Sequence, residues 1–493
     1  MSEANERPEP VTDPILDEVR RFYEGHHADI EKSRRRHAYY YRYLERVLRV
    51  RIPEGLRVLD LGCGTGDLLA ALKPSYGVGV DVSAPAIEAA RQRHPDPRLR
   101  FVHGDFSDPA VLAAAEGPFD VILLVNVVTH LTDVQATFER LHAVSHSRTR
   151  VLIYSYSRLW QPLLRLGEIL GLKHRQPPEA WLPPEEIKNM LSLADYDVVR
   201  DDAHVVFPLA VPLLADLLNR YVGRVPPLGE LSLVFGIIAR PAPARWTTSR
   251  PANPTVSVIV PCRNEAGHIP PLVASLPALG LPAGSEFLFV EGNSTDDTEA
   301  VIRREIESHP ELPLRFLKQR GRGKGDAVRL GFAEAKADVV LILDSDLGVA
   351  PADVPKFVTA LARGKGEMVN GSRLVYPMEG KAMRFLNLLA NKAFAILFTW
   401  LLGQQVRDTL CGTKALWRSD YERIAANRSY FGDFDPFGDF DLLFGASRLN
   451  LRIVDLAVRY HERRYGDTNI SRFRHGWLLL QMSAFAARKL KFL

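Results

Sequence analysis

The sequence predicts an α/β protein that consists of two doubly wound domains joined by a linker. Two separate series of short apolar runs alternate with helical stretches, a pattern typical of parallel sheets covered by helices. A segment rich in Pro, Ala, Ser and Thr, residues 241–254, has no apolar periodicity and separates the two series. The length of 493 residues also exceeds what one hydrophobic core normally supports.

Composition and charge exclude several classes of protein. Hydrophobic residues make up 46% and charged residues 25% of the chain, the mixture of an ordinary globular protein. The formal net charge of +4 is small for this length, so nucleic acid is not an expected partner. The 3 cysteines are far apart and form no C-x-x-C pair, which indicates a reducing compartment. The polar segment 1–10 has no secretory pattern, so we expect a cytoplasmic protein.

The first series predicts an N-terminal tail and helix over residues 1–40 and an α/β domain over residues 41–240. The helical pattern is dense in Arg, His and Tyr and leads into the first apolar strand. The predicted strands of this domain are RVLDLG, YGVGVDV, RFVHGDF, FDVILLVNV and RVLIYSY.

Three glycines directly follow the first of these strands. Gly62, Gly64 and Gly66 lack side chains, so a ligand can approach the backbone at the carboxyl edge of the sheet. Asp81 ends the next strand, where an acidic side chain can accept hydrogen bonds from both hydroxyls of a ribose. These positions predict a nucleoside-containing cofactor.

The motif VLDLGCGTG resembles the first motif of the class I S-adenosylmethionine-dependent methyltransferases, and the resemblance covers about residues 40–240. The alternative, the turn of a dinucleotide-binding dehydrogenase, is disfavoured because the spacing is G-x-G-x-G. His130 follows the fourth strand near the expected methyl group, where we favour a packing or capping role over catalysis. The cofactor-binding residues implied by the resemblance are Asp60, Gly62, Gly64, Gly66, Asp81, Asp105 and Asn126.

The second series predicts a domain over residues 255–475 and a C-terminal amphipathic helix over residues 476–493. Its predicted strands are TVSVIVPC, EFLFVEGN, LRFLKQ and DVVLILDSD. The last of these strands ends in Asp344 and Asp346, two carboxylates with one residue between them. This spacing suits Mg²⁺ or Mn²⁺, which completes its shell with water and substrate phosphates and neutralises a diphosphate leaving group. Both residues are therefore candidate catalytic and metal-binding residues.

Together with SVIVPCRNEAGHI, LFVEGNSTDDT and GRGKGDAVRLGF, the D-x-D motif resembles the family 2 glycosyltransferases of the GT-A fold. The resemblance implies inverting transfer from a UDP- or GDP-linked sugar. The retained Asp344 and Asp346 disfavour the alternative, a non-catalytic carbohydrate-binding module. The nucleotide-sugar-binding residues implied by the resemblance are Pro261, Asn264, Glu265, Glu291, Lys324 and Gly325.

A closer resemblance to the dolichol- and polyprenyl-phosphate glycosyltransferases rests on GSR, RDTLCGTKAL and RRYGDTNI. It implies that Arg373, Arg384 and Arg463 bind an acceptor phosphate, which suits a planar guanidinium group. The last motif departs from the family because Thr468 and Asn469 replace the usual Ser-Lys pair.

The alternative acceptor is the hydroxyl of a glycan or small alcohol, which requires a carboxylate base. Asp439 and Asp441 in FGDFDLL stand where hydroxyl-glycosylating relatives carry that base.

Two apolar segments, residues 386–403 and 477–493, predict contact with a membrane surface. The first contains Asn387, Asn391 and Lys392 and is a poor spanning segment, and the second ends in basic residues. The competing interpretation is that both are core helices.

We therefore expect a bifunctional enzyme at the inner face of the membrane, which glycosylates polyprenyl phosphate and methylates a substrate. In the alternative interpretation, the protein glycosylates a glycan hydroxyl, and its first domain is an S-adenosylmethionine-binding scaffold.

Overall fold

The computed structural model describes residues 14–170, 177, 179–226, 228–245, 250–376, 385–430, 438–461, 465 and 472–492. It divides into two compact units, Met1–Ala242 and Pro243–Leu493. The division falls within the predicted linker 241–254, of which residues 246–249 lie outside the described residues.

The first unit is built on a seven-stranded sheet with the order β3-β2-β1-β4-β5-β7-β6. Strands β1 to β5 pair in parallel, and β7 runs antiparallel to both β5 and β6. The strands are β1 Arg57–Leu61, β2 Tyr76–Asp81, β3 Leu99–His103, β4 Val121–Val125, β5 Arg150–Tyr156, β6 Tyr196–His204 and β7 Val234–Pro241. The α-helices are α1 Pro14–Gly25, α2 His27–Arg36, α3 Ala38–Arg51, α4 Asp67–Ala71, α5 Ala84–Arg93, α6 Pro109–Ala113, α7 Val134–Leu141, α8 Gln161–Ile169, α9 Pro184–Leu193 and α10 Leu214–Arg220.

The second unit contains another seven-stranded sheet, with the order β10-β9-β8-β11-β13-β12-β14. Strand β13 is antiparallel to β11 and β12, and the remaining pairs are parallel. The strands are β8 Val256–Cys262, β9 Glu286–Glu291, β10 Leu314–Lys318, β11 Val339–Ile342, β12 Met368–Ser372, β13 Lys414–Trp417 and β14 Ile453–Ala457. The α-helices are α11 Ile269–Ser275, α12 Thr298–Ser308, α13 Lys324–Glu334, α14 Val354–Ala362, α15 Phe385–Leu402, α16 Arg418–Ala426, α17 Asp439–Arg448 and α18 Arg472–Leu490.

Helices cover both faces of each sheet, so the central strands are apolar on both sides. All four residues of β11 are buried, as are the last four of β1, which explains their continuous runs of Val, Leu and Ile. In the second unit two hydrophobic clusters form, one around Phe398, Phe440 and Leu443 and one around Phe289 and Phe357. The predicted fold class, two α/β domains, is confirmed, and both sheets are mixed because each contains antiparallel pairs.

The strands that sequence patterning did not predict are the antiparallel pair β6–β7 and the group β12 to β14. Each of these strands lies in the edge region of its sheet, outside the consecutive parallel strands that give the clearest alternation with helices. They complete the two sheets and frame the sites described below.

The two apolar segments form α15 and α18, which contact each other and contribute to the core. Phe398 and Leu401 on α15 and Met482 and Ala486 on α18 are buried. Within the described ranges, no helix is both long enough and apolar enough to span a bilayer.

Candidate active sites

The turn after β1 depends on its three glycines. Gly62, Gly64 and Gly66 have φ values of 77°, 53° and 72°, in the left-handed region that favours glycine. A Cβ atom at Gly62 would lie 2.8 Å from Val127 Cγ2, and one at Gly66 would lie 2.5 Å from the Phe101 ring. Gly62 and Gly66 are therefore required both by the backbone conformation of the turn and by its close packing against Val127 and Phe101.

Two carboxylates flank this turn, Asp60, which is buried, and Asp81, which is partly buried. Asp81, at the end of β2, accepts the backbone N–H of Gly64 at 2.8 Å and that of Ser83 at 2.9 Å. Burial raises the pKa of Asp81. Burial, and then the charge of Asp81, raises the pKa of Asp60 to about 7. The raised pKa values mean that the charged form of each carboxylate is disfavoured in the free protein. A ligand that carries positive charge would stabilise that charged form.

The other two predicted cofactor-binding residues follow β3 and β4. Asp105 accepts the backbone N–H of Ser107 at 2.8 Å, and its side chain is partly exposed. Asn126 has a φ of 55°, and its amide nitrogen donates to the Tyr40 hydroxyl at 3.0 Å. The carboxyl ends of β1 to β4 thus bring together every cofactor-binding residue that the sequence predicted.

Helices α2 and α3 add residues that the sequence interpretation did not assign to the site. Arg34 Nη1 donates to Thr65 Oγ1 at 2.8 Å, and its Nη2 lies 3.4 Å from Asp67 Oδ2. Arg34 and Tyr41 line a cavity of about 290 Å³ beside the glycine turn. The dense Arg and Tyr content of this helical segment was the signal available in the sequence.

In the second unit, Asp344 and Asp346 leave β11 at the carboxyl edge of the sheet. Asp344 Oδ1 lies 2.6 Å from Lys324 Nζ at the start of α13, and Asp346 accepts the backbone N–H of Gly348 at 3.0 Å. Burial opposes the charge on Asp344, but the Lys324 ammonium outweighs it and lowers the pKa of Asp344. Ser345 donates to the Pro261 carbonyl at 3.0 Å, which ties the D-x-D segment to β8.

Gly412, which the sequence interpretation did not single out, lies against this pair. A Cβ atom at this position would overlap with both Asp344 Oδ2 and Lys324 Nζ. The motif CGT before β13 therefore brings backbone into contact with the site, and any larger residue at Gly412 would displace the Asp344 and Lys324 side chains from their present contact. The residue is remote in sequence from both partners, so no local pattern identifies it.

The donor set fits a divalent cation that is shared with a substrate. Among the described residues, no group of three or more His, Cys, Asp or Glu side chains forms a complete metal site. Two carboxylates from Asp344 and Asp346 leave coordination positions for water and phosphate oxygens, as Mg²⁺ prefers.

The predicted nucleotide-binding residues of the loops after β8 and β9 brace each other. Asn264 Oδ1 accepts the backbone N–H of Thr295 at 2.8 Å, and Glu265 Oε2 lies 2.7 Å from His268 Nδ1. Glu291 is fully buried, accepts the backbone N–H of Ser294 at 2.6 Å and pairs with Lys318. Burial opposes the charge of Glu291, but its contacts with Lys318 and Ser294 lower its pKa.

Gly325, the second residue of α13, packs closely against another glycine. A Cβ atom at Gly438 would lie 2.8 Å from the Cα atom of Gly325. The start of α17 thereby approaches the start of α13, next to Lys324.

Of the predicted acceptor-binding arginines, Arg373 lies within the described residues and already has a carboxylate partner. Its Nε and Nη2 donate to Asp408 at 2.8 and 2.9 Å, and its guanidinium stacks 4.9 Å from the centre of the Tyr460 ring. Burial opposes the charge on Asp408, but Arg373 outweighs it and lowers the pKa of Asp408 to about 2. Arg384 and Arg463 lie outside the described residues.

The predicted alternative base, Asp441, lies between two arginines. Its Oδ2 is 3.7 Å from Arg329 Nη1 and 3.7 Å from Arg428 Nε. Two flanking guanidinium groups are typical of a structural ion pair. The side chain of Asp439 lies outside the described residues.

Comparison with known proteins identifies both domains. Residues 257–424 match the family model of glycosyl transferase family 2, and residues 58–147 match the model of a methyltransferase domain.

Among curated relatives, an uncharacterised glycosyltransferase of Mycobacterium tuberculosis is 27% identical over 229 residues, 45% of this chain and 91% of the relative. An undecaprenyl-phosphate 4-deoxy-4-formamido-L-arabinose transferase of Pseudomonas aeruginosa is 27% identical over 221 residues, 44% of this chain and 61% of the relative.

Among solved structures, an S-adenosylmethionine-dependent methyltransferase from Mesorhizobium loti aligns with 39% of this chain and 95% of its own. The two share 19% identity at a TM-score of 0.30. With both family models matched, the chain is a transferase that joins a methyltransferase domain to a family 2 glycosyltransferase domain.

Proposed function

We propose that the second domain transfers a sugar from a nucleotide sugar to a polyprenyl phosphate. The observation that carries this proposal is the contact between Asp344 and Lys324 beside Asp346, packed under Gly412. It joins a metal-binding carboxylate pair to an ammonium group at a helix N-terminus, the chemistry that a nucleoside diphosphate requires. The relatives named as undecaprenyl-phosphate sugar transferases support the lipid-phosphate acceptor.

In this mechanism Asp344 and Asp346 would hold Mg²⁺ or Mn²⁺, which supplies charge neutralisation for the departing diphosphate. Lys324, which lies 2.6 Å from Asp344, would contact the same phosphates. The braced loops that carry Asn264 and Glu291 hold the nucleoside in place. A phosphate acceptor is anionic and attacks the anomeric carbon without a general base.

The acceptor phosphate binds beside Arg373, whose contact with Asp408 fixes the guanidinium plane. In our proposal Arg384 and Arg463, which lie outside the described residues, also bind the acceptor phosphate. A hydroxyl acceptor deprotonated by Asp439 or Asp441 is the second candidate. The two arginines beside Asp441 favour the phosphate acceptor over this alternative.

We further propose that the first domain transfers a methyl group from S-adenosylmethionine. The cofactor carries a sulfonium and an ammonium group, and the buried carboxylate of Asp60 lies at the glycine turn beside Asp81, the proposed partner of the ribose. The matched methyltransferase family model supports the same assignment.

The test is the transfer of ¹⁴C-labelled sugar from UDP- and GDP-sugars to undecaprenyl phosphate in detergent with Mn²⁺. Asp344→Asn keeps the side-chain shape and removes the charge, so we expect a loss of about 100-fold or more in lipid-linked product. Asp338→Asn makes the same change at the opposite end of β11, beside Thr255, and is the matched control.

The proposal is supported if ¹⁴C-labelled sugar appears in the lipid phase with the unsubstituted protein and with Asp338→Asn, and is lost with Asp344→Asn. Transfer to a glycan hydroxyl, with no lipid-linked product, would overturn the phosphate acceptor in favour of Asp439 or Asp441.

A further inference from the structure

A tyrosine, a histidine and a glutamate from separate parts of the first domain meet beyond β4. The hydroxyl of Tyr23, on α1, lies 3.0 Å from His130 Nε2. Glu179 Oε1 lies 3.8 Å from the same nitrogen. The side chains of His130 and Glu179 are each only 9% exposed.

Backbone contacts hold these residues together. His130 ends a short 3-10 helix, Val128–His130, and the Thr129 carbonyl in that helix accepts the backbone N–H of Ala180 at 2.8 Å. This bond fixes Glu179 beside the histidine. The cluster is therefore a built feature of the fold and not a chance contact of surface side chains.

The cluster lies where the methyl group of a bound cofactor is expected. The glycine turn follows β1, the ribose carboxylate Asp81 ends β2, and β4 neighbours β1 on the side away from β2. A cofactor whose ribose contacts Asp81 and whose chain crosses the glycine turn directs its sulfonium toward the end of β4. Asn126 and His130 follow that end.

Aromatic side chains surround the same position. Tyr40, which contacts Asn126, stacks on Tyr156 at a centroid distance of 6.0 Å, and Tyr156 lies 6.3 Å from Trp181. Such a wall offers flat apolar faces to an acceptor and excludes water from the reacting atoms.

The state of Tyr23 determines what the cluster does chemically. Burial, and then the charges of Glu179 and Asp81, raises the pKa of Tyr23 well above its ordinary value. The phenol therefore stays neutral and passes a proton on instead of acting as a phenolate. A carboxylate or thiolate acceptor is already deprotonated and needs no proton acceptor, whereas an alcohol must lose a proton as it is methylated.

We propose that the methyl acceptor is a hydroxyl group and that Tyr23, His130 and Glu179 form the relay that removes its proton. The acceptor oxygen attacks the methyl carbon, an O–CH₃ bond forms, and the C–S bond breaks with its electron pair on sulfur. The acceptor proton goes to the Tyr23 oxygen, and the Tyr23 proton goes to His130 Nε2. The imidazolium is stabilised by the Glu179 carboxylate.

This inference rests on the proposed methyl transfer but not on the proposed sugar transfer. The assay therefore uses synthetic undecaprenyl phosphoryl-glucose and phosphoryl-mannose with tritiated-methyl S-adenosylmethionine, so that hydroxyl acceptors are supplied directly. Sugar transfer by the second domain is measured separately with ¹⁴C-labelled sugar nucleotides. A failure of the second assay then leaves the first unaffected.

With His130→Asn we expect a loss of about 100-fold or more in methylated lipid. The affinity for S-adenosylhomocysteine, measured by calorimetry, stays unchanged. His146→Asn is the matched control, because His146 forms a similar pair with Asp120 at 3.2 Å at the opposite end of β4. A methyl ether is stable in mild base, so release of the tritium as methanol would show that an ester had formed instead. That result, or full activity of His130→Asn, would overturn the proposal.

A second measurement needs no acceptor. In the S-adenosylhomocysteine complex, NMR of ¹³C-labelled histidine gives the pKa of His130, which Tyr23 and Glu179 face. Removal of the carboxylate in Glu179→Gln lowers this pKa by about one unit if the relay exists. An unchanged value would refute the relay.

Discussion

At the residue scale, both sites place charged side chains where a ligand of opposite charge completes them. The carboxylates of Asp60 and Asp81 lie close together at the glycine turn, and burial raises the pKa values of both. Lys324 contacts Asp344 where a divalent cation and a diphosphate are expected. In each case the protein lacks opposite charge that a bound ligand would supply, which is typical of a binding site.

The pKa of Asp60 predicts how the affinity for S-adenosylmethionine depends on pH. A cation binds the charged carboxylate, and a proton competes with it below a pKa of about 7. We expect binding about tenfold tighter at pH 8 than at pH 6, measured by calorimetry.

Asp60→Asn provides the control for this titration, because an amide does not titrate. The variant should bind weakly at both pH values, with no difference between them. A pH dependence that persists in the variant would assign the effect to another group.

A second prediction at this scale concerns Gly412. Gly412→Ala places a methyl group against Asp344 and Lys324, so sugar transfer should fall about 100-fold while the fold is retained. Gly445→Ala is the matched control, because its methyl group meets Ile424 and lies away from the site. We expect Gly445→Ala to lower the melting temperature without a comparable loss of activity, and equal losses in the two variants would contradict the prediction.

At the scale of elements, α15 and α18 combine a buried face with an exposed apolar face. Met482 and Ala486 pack in the core, whereas Trp477 is 64% and Leu480 is 49% exposed. On α15, Ile396 is 74% exposed. Both interpretations of these segments, core helix and membrane-surface helix, are therefore compatible with one structure. Deletion of residues 477–493 would remove core residues as well as the exposed face, so it would not separate membrane contact from folding.

Point substitutions on the exposed face of α18 separate the two roles. We expect Trp477→Ser with Leu480→Ser to weaken flotation with vesicles of anionic phospholipid about tenfold, since the exposed apolar area drives partitioning. Leu193→Ser on α9 changes a leucine that is 59% exposed and should have no effect. Unchanged flotation of the double variant would exclude α18 as the membrane contact.

At the scale of the whole molecule, each unit has its own sheet and its own candidate site. The glycine turn and Asp81 belong to the first sheet, and Asp344 and Asp346 belong to the second. Each site is built from residues of its own unit. We therefore expect the two chemical steps to be separable by substitution.

The corresponding prediction is a double dissociation. Asp81→Ala should abolish methyl transfer and leave sugar transfer within about twofold, and Asp344→Ala should do the reverse, since substitutions at independent sites act additively. Both products are measured with the same full-length preparations. Loss of sugar transfer in Asp81→Ala would show that the first domain regulates the second, as in the scaffold interpretation.

The sequence by itself determined the two-domain organisation, the parallel core of each sheet, the glycine turn and the D-x-D segment. These features are local, because strand periodicity and short motifs are written in consecutive residues. Only the tertiary structure decided that Arg373 pairs with Asp408, that Gly412 contacts Asp344, and that β7 and β13 run antiparallel to their neighbours. Tyr23 and His130 are 107 residues apart in the chain. Such contacts depend on how whole elements pack, and periodicity within one segment carries no information about them.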